Sequence, residues 1–247
     1  MPGVLWTTAS IQRKDLPVAL MDAWYGEHIG ICLSCPGNGG LFLRYRNTSP
    51  ATDPYVTPKF NDQAEQGANS QAFVPTTWPF LALIKLDDTK WLSSPQFDAM
   101  PRTSVILPPE ADGSIGSAFT CLNGCLRSYE TVGSLPDPSG RSTRPKYILS
   151  VQSSGANTGN SDRQYAAQPG FRGSTRYRLV KGLLGFEEPG LLPESLALHE
   201  FDGDKPPQAI PDDNAFKVDV WELILEAGDT SLRLWSGPDR VPSEHKL

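Results

Sequence analysis

The segment Leu41-Phe42-Leu43-Arg44-Tyr45-Arg46 alternates side chains between two faces and reads as a β-strand. Its Arg44-Tyr45-Arg46 recurs as Arg176-Tyr177-Arg178, an offset of 132 residues (44 to 176). Leu81-Ala82-Leu83 recurs in the same order as Leu196-Ala197-Leu198, an offset of 115 (81 to 196). Tripeptides of common residues are weak signals one at a time, so the pattern of elements around them has to carry the repeat.

In the first half, Gly3 to Ser10 predicts a strand. A helix follows, with Asp15 as its cap, Pro17 in its first turn and Gly30 as its stop. Leu41 to Arg46 and Phe80 to Leu86 are the next strands. Trp91 to Met100 is broken by Pro95 into a short helix at best, and a fourth strand falls within Ala118 to Val132. The order is β-α-β-β-α-β, the ferredoxin-like unit. In the second half, Lys146 to Gln152, Thr175 to Val180 and Leu196 to Phe201 read as strands. Asp213 and Asn214 then cap a helix bearing Phe216, Val220, Ile224 and Ala227, with Gly228 as its stop, and Ser231 to Trp235 closes the unit. The first helix of this half is the weak member, because Ser161 to Gly173 holds Pro169 and two glycines. The expected fold class is α+β, with a first repeat at 1–134 containing a long loop at 47–77, a linker at 135–145, and a second repeat at 146–247. Two such units stack sheet against sheet and leave a cleft between them. A polar loop of that length inside a compact domain often walls a site.

A chain of 247 residues is long enough for a substantial core, and six Trp, seven Tyr and ten Phe supply it. Its 22 glycines and 23 prolines call for many loops. A net charge of −6 argues against a nucleic-acid partner, and the apolar runs are too short to span a bilayer. The first ten residues lack the basic and apolar regions of a signal peptide, so a cytoplasmic location is expected. Bases dominate from Arg141 to Lys181 and acids from Glu187 to Asp229, which reads as solvated surface. The pairs Cys32-x2-Cys35 and Cys121-x3-Cys125 have zinc-ligand spacing, but 86 residues separate them (35 to 121) and the first pair trails a helix. They read as small buried residues, with no metal site. Nucleotide-binding glycine motifs, phosphate loops, a nucleophile elbow and a His-x-x-x-His pair are absent from the sequence.

Trp24-Tyr25-Gly26-Glu27-His28-Ile29 resembles the Trp-Tyr-x-x-Glu-His signature of the dimeric α/β-barrel superfamily, in particular its EthD-like branch. One residue fewer separates Tyr25 from Glu27 than in the signature, which turns His28 by about 100° on a helix. The strands Phe42 to Arg46 and Leu196 to Phe201 resemble the second and third strands of that fold, and duplicated single-chain fungal members have about this length. The resemblance implies two ferredoxin-like repeats forming an intrachain α/β-barrel pseudo-dimer; a further homodimer stays open. The family includes decarboxylases, polyketide cyclases, cofactor-free monooxygenases, dehalogenase-like enzymes and heme-using proteins, so fold alone leaves the reaction open. Gln164-Tyr165-Ala166-Ala167-Gln168 stands where the second repeat would carry the motif, so one such histidine serves at most.

His245 lies near the chain end, which leaves two histidines for chemistry. Leu16, Leu20, Trp24 and His28 follow at steps of four, which puts His28 on the buried stripe of its helix. There it either moves a proton in a cleft or is a half-buried core residue tied to Glu27 or a carbonyl. His199 alternates with Ala197 and Phe201, opposite Leu196 and Leu198. If the leucines pack under helices, His199 faces the cleft; otherwise it bonds within the sheet. Arg44, Tyr45 and Tyr177, with Tyr25, are candidates for walls or anchors that clamp a carboxylate or donate to an enolate. His28 and His199 are the candidate catalytic residues.

The function expected from this reading is a cofactor-independent cyclase or isomerase of secondary metabolism. It acts on a hydrophobic polyene or polyketide-like small molecule, with a pericyclic [4+2] closure as one version. The alternatives are a decarboxylase or cofactor-free monooxygenase of an aromatic polyketide, and a non-catalytic small-molecule-binding stress-type protein.

Overall fold

Strand segments whose two faces both carry apolar residues must be covered on both sides, and this chain achieves that by closing its sheet. The computed structural model describes residues 1–34, 38–49, 52–55, 77–135, 137, 143–153, 159–185, 193–210, 215–232 and 234. Its strands are β1 (Gly3–Ile11), β2 (Asn38–Asn47), β3 (Phe80–Leu86), β4 (Leu122–Leu135), β5 (Tyr147–Ser153), β6 (Phe171–Gly185), β7 (Ser195–Phe201) and β8 (Ala215–Gly228). Its helices are α1 (Val18–Ser34), α2 (Pro95–Asp98), α3 (Ala118–Cys121) and α4 (Gly159–Ala166), with a 3₁₀ turn at Thr89–Ser93. None is long and apolar enough to cross a membrane.

The strands form one closed, antiparallel barrel in the order β1-β3-β2-β8-β5-β7-β6-β4. The four strands up to residue 135 are neighbours, as are the four from residue 147. The two sets join at β2–β8 and β4–β6. The expectation of a cleft between stacked sheets is therefore corrected. Hydrogen bonds close both seams, and the space inside is filled by Trp6, Leu43, Tyr45, Leu83, Ile148 and Trp221. Trp6 and Trp221, from opposite halves, meet edge-on with ring centroids 6.1 Å apart.

Other expectations change for local reasons. Residues 215–228 form β8 and not a helix. A spacing of four fits both periods, since it is one helical turn and two strand repeats. What decides is the alternation of inward Asp219 and Trp221 with outward Val218 and Val220. Gly228 is thus no helix stop. It sits at φ +90, and a Cβ there would fall 2.1 Å from the Gly40 carbonyl oxygen, so the β2–β8 seam requires glycine. Ser231 and Leu234 lie in a turn, so the predicted closing strand at Ser231 to Trp235 is replaced by β8; Trp235 lies outside the described residues. The described elements of the second half therefore read β-α-β-β-β. Helix α1 runs through Gly30 to Ser34, and Gly30 is not among the glycines of positive φ that would end a helix. Asp15 does not cap it; its carboxylate accepts two hydrogen bonds from Arg13, at 3.2 and 2.6 Å. Much of the predicted loop at 47–77 and linker at 135–145, with Asp213, Asn214, Cys35 and His245, lies outside the described residues.

Helix α1 buries Met21, Trp24, Tyr25, Ile29 and Cys32 against the outer face of β1, β2 and β3, which presents Leu5, Phe42, Ala82 and Ile84. Helix α4 covers the outer face of β5 and β7 (Leu149, Val151, Ala197 and Phe201) with Tyr165. Arg172 on β6 ties this side to the segment after β4. Its guanidinium, 1% exposed, donates at 3.3 Å to each of Asp137, Thr143 and Asp202. Because the Asp137 side chain is equally buried, Arg172→Ala should cost about 3–5 kcal/mol of stability. Urea unfolding measures this, and a loss under about 1 kcal/mol would show the ion pair to be dispensable.

Candidate functional site

The apolar layer between α1 and the sheet is incompletely filled. It leaves a cavity of about 340 Å³, near the lower end of the range for small-molecule pockets. Strand alternation supplies the floor: Leu5, Thr7 and Ala9 from β1, Phe42 from β2, Ala82 and Ile84 from β3. The roof is one stripe of α1, where Trp24, His28 and Cys32 follow at steps of four, with Tyr25 beside them. Phe97, Met100 and Arg102 form one side wall, and Phe119, Leu122 and Leu126 the other.

His28 is the group in this lining best suited to move a proton. Its imidazole stacks on Trp24, with centroids 4.8 Å apart and planes within 14°. Burial lowers its pKa to about 4, with the nearby Arg102 guanidinium adding to the shift and Glu27 opposing it. At neutral pH it is therefore an uncharged imidazole with one donor and one acceptor nitrogen. Glu27 does not hold it, because that carboxylate accepts instead from the Ser104 hydroxyl, whose oxygen caps the Ile106 amide at 3.1 Å.

Tyr25 is buried, and burial raises its phenol pKa, so it stays protonated and able to donate. Arg44 sits behind it, with the guanidinium carbon 4.3 Å from the Tyr25 ring centroid and 5.1 Å from that of Phe80. Arg44 donates to Asp22 through Nη1, while its Nε and Nη2 find no hydrogen-bond partner among the described residues. It backs the wall and does not line the cavity. Tyr45 and Tyr177 point into the barrel interior, where burial raises both phenol pKa values.

His199 is also elsewhere. Leu196 and Leu198 fill the barrel interior, so the opposite face of β7 carries His199 outward beneath α4. The expectation that the leucines pack under helices and His199 faces a cleft is reversed, because in a closed barrel the helices cover the outer face. There Nδ1 lies 2.7 Å from the Ser174 hydroxyl and the ring packs 4.5 Å from Tyr165. Burial, with the Arg176 charge adding to it, lowers its pKa to about 3. His28 and Tyr25 thus share the cavity, Arg44 supports it, and His199, Tyr45 and Tyr177 do not reach it.

The two halves share a local construction. Asp22 of the segment Asp22-x-x-Tyr25 on α1 is ion-paired to Arg44, and Asp162 of the segment Asp162-x-x-Tyr165 on α4 is ion-paired to Arg176. The sequence reading missed Thr7, Phe97, Met100, Arg102 and Phe119. Thr7 was legible from its alternation with Leu5 and Ala9, whereas Phe97 and Phe119 sit on helices of four residues, too short to show a period, and Met100 and Arg102 lie between them on irregular chain. Cys32 lines the cavity with Sγ 3.6 Å from Met100 Sδ, and Cys121 and Cys125 are buried thiols. Among the described residues no three His, Cys, Asp or Glu side chains group as a metal site.

Phe119 lines the cavity yet is 60% exposed, so a bound ligand would cover its ring. Phe119→Ala should weaken binding of a flat aromatic ligand about tenfold. Fluorescence titration measures this, and unchanged affinity would place the ligand away from this wall.

No family model matches the chain, and no curated protein matches it. Among solved structures, the chain path resembles an anthrone oxidase-like protein, with a TM-score of 0.48, 10% identity and 92% of each chain covered. It also resembles a proposed monooxygenase from Fusobacterium nucleatum subsp. nucleatum, with a TM-score of 0.42, 6% identity, and 92% of this chain and 94% of that one covered.

Proposed function

We propose that this protein is a cofactor-independent cyclase or isomerase acting on a flat, hydrophobic, polyketide-type small molecule held under α1. We further propose that the chain is a duplicated member of the dimeric α/β-barrel superfamily in which the first half carries the site. The recurring aspartate–arginine ion pair between helix and strand and the matching strand orders support the duplication. The observation that carries the functional reading is an uncharged imidazole, fixed by stacking on Trp24, in the lining of a largely apolar cavity.

In this reading the unprotonated nitrogen of His28 takes a proton from a carbon or oxygen acid of the ligand, and the electron pair moves onto a conjugated carbonyl oxygen. The Tyr25 phenol is the donor available to that developing oxyanion. The enolate carbon then closes on a second carbonyl carbon, whose π electrons move onto its oxygen and take the proton back from the imidazolium, or the imidazolium returns its proton at a second carbon of the enolate. Either outcome conserves mass and needs no redox partner. A pericyclic closure uses the same walls for orientation and needs only a hydrogen bond to the activating carbonyl.

The test is to incubate the purified protein with an extract of producing cells that lack it, and to read the products by mass spectrometry. A new compound of unchanged mass is expected. Loss of carbon dioxide or gain of oxygen would replace this reading with a decarboxylase or monooxygenase. A compound retained without turnover would leave a binding protein.

A further inference from the structure

Strand β1 is buried from Gly3 to Ile11 except at Thr7, which is half-buried. Yet β1 is hydrogen-bonded on both edges, to β3 and to β4, and its outer face lies under α1. The open side of Thr7 is therefore the cavity, which it lines. The strand register explains why space is left there. Thr7 stands opposite Ala82 on β3, and Ala9 stands opposite Gly124 on β4, so four small residues meet on one patch of the floor. Strand alternation turns Thr7 and Ala9 to the same face, and their small partners leave a hollow in it.

Resting on the reading above, we propose that Thr7 sets the specificity of the cavity: its ligand carries oxygen at two opposite edges, one facing His28 and Tyr25 under the helix and the other seated on the Thr7 hydroxyl at the sheet. The Thr7 hydroxyl makes no hydrogen bond to another described residue, so it is available to a ligand. A hydroxyl both donates and accepts, and a carbonyl or a phenol on the ligand suits it equally. Sites of this kind are mostly apolar and orient their ligand through a few placed polar groups. A flat compound without the second oxygen would strip water from Thr7 and return no hydrogen bond, so the site discriminates against it.

The test compares 2,6-dihydroxynaphthalene, oxygenated at both ends, with 2-naphthol, which lacks the second oxygen and otherwise matches it. Both are titrated against the intact protein at neutral pH and read by quenching of tryptophan fluorescence, since Trp24 lines the cavity. The diol is expected to bind about fivefold or more tightly than 2-naphthol. That order is diagnostic, because the more polar diol would bind the more weakly if the cavity offered its second oxygen no partner. Thr7→Val, which keeps the branched shape and removes the hydroxyl, should abolish the preference, and Thr7→Ser should retain it. Equal affinities, or tighter binding of 2-naphthol, in the native protein would overturn the proposal with no variant needed. A preference for the diol that survives Thr7→Val would also overturn it, by placing the second oxygen elsewhere. Equal binding of both probes spares the cavity reading, whereas failure of both to bind defeats that reading and this proposal together.

Discussion

Replacing His28 by asparagine is expected to lower kcat/KM by about 10²–10⁴-fold, the usual worth of a positioned acid–base group. Asparagine keeps a polar side chain beneath Trp24 but has no nitrogen that can accept a proton. The loss should fall on kcat, because the apolar walls that bind the ligand stay in place. The pH profile gives a second readout. A base with a pKa near 4 is already unprotonated above that value, so kcat/KM of the native protein should rise through about pH 4 and stay flat to neutrality. The asparagine variant should lose that acid limb. Activity within about threefold of native, with the limb retained, would remove His28 from the chemistry.

Acid should destabilise the fold steeply. His28 and His199 have pKa values lowered to about 4 and about 3, against roughly 6.5 in an unfolded chain. Between pH 6.5 and 4 the unfolded state binds about two protons that the native state refuses, so stability rises with pH through this window and is complete above it. Each such proton is worth about 1.4 kcal/mol per pH unit, giving a combined slope of about 2–3 kcal/mol per unit. The Asp162 carboxylate, 3.9 Å from the His199 Nδ1, offers protonated His199 a partner, but burial and the Arg176 charge outweigh it. Urea unfolding at stepped pH should show that slope in the native protein and about half of it in His199→Gln. A flat profile from pH 7 to 4.5 would mean that neither ring is held unprotonated by the fold.

What the sequence disclosed was local. Phe80 to Leu86 is apolar but for Lys85 and bounded by turn residues, and it forms a strand with those bounds. The four-residue steps through Trp24 and His28 placed the histidine on the buried stripe of α1, and it lines the cavity there. Where the reading failed, distant partners decided. Closure depends on the pairing of β2 with β8 and β4 with β6, and no local period encodes seams between residues as distant in sequence as Leu41 and Gly228 or Tyr129 and Leu179. The same closure settles which face of β7 is covered by a helix, and so where His199 points. Residues 215–228 failed for a different reason, because steps of four satisfy both a helix and a strand. Arg102 escaped notice because it lies on an irregular segment between α2 and α3, where chemistry depends on a meeting with α1 that composition does not reveal.

The most direct test of the account is deuterium exchange into a panel of enolisable aryl ketones, 2-tetralone among them, incubated in D₂O with the native protein or with His28→Asn. Exchange at the carbon beside the carbonyl, read by mass spectrometry, is expected well above the buffer rate with the native chain and at the buffer rate with the variant. Exchange that is equally fast with both proteins, or no faster than buffer for every ketone, would contradict the claim that His28 moves a proton in this cavity.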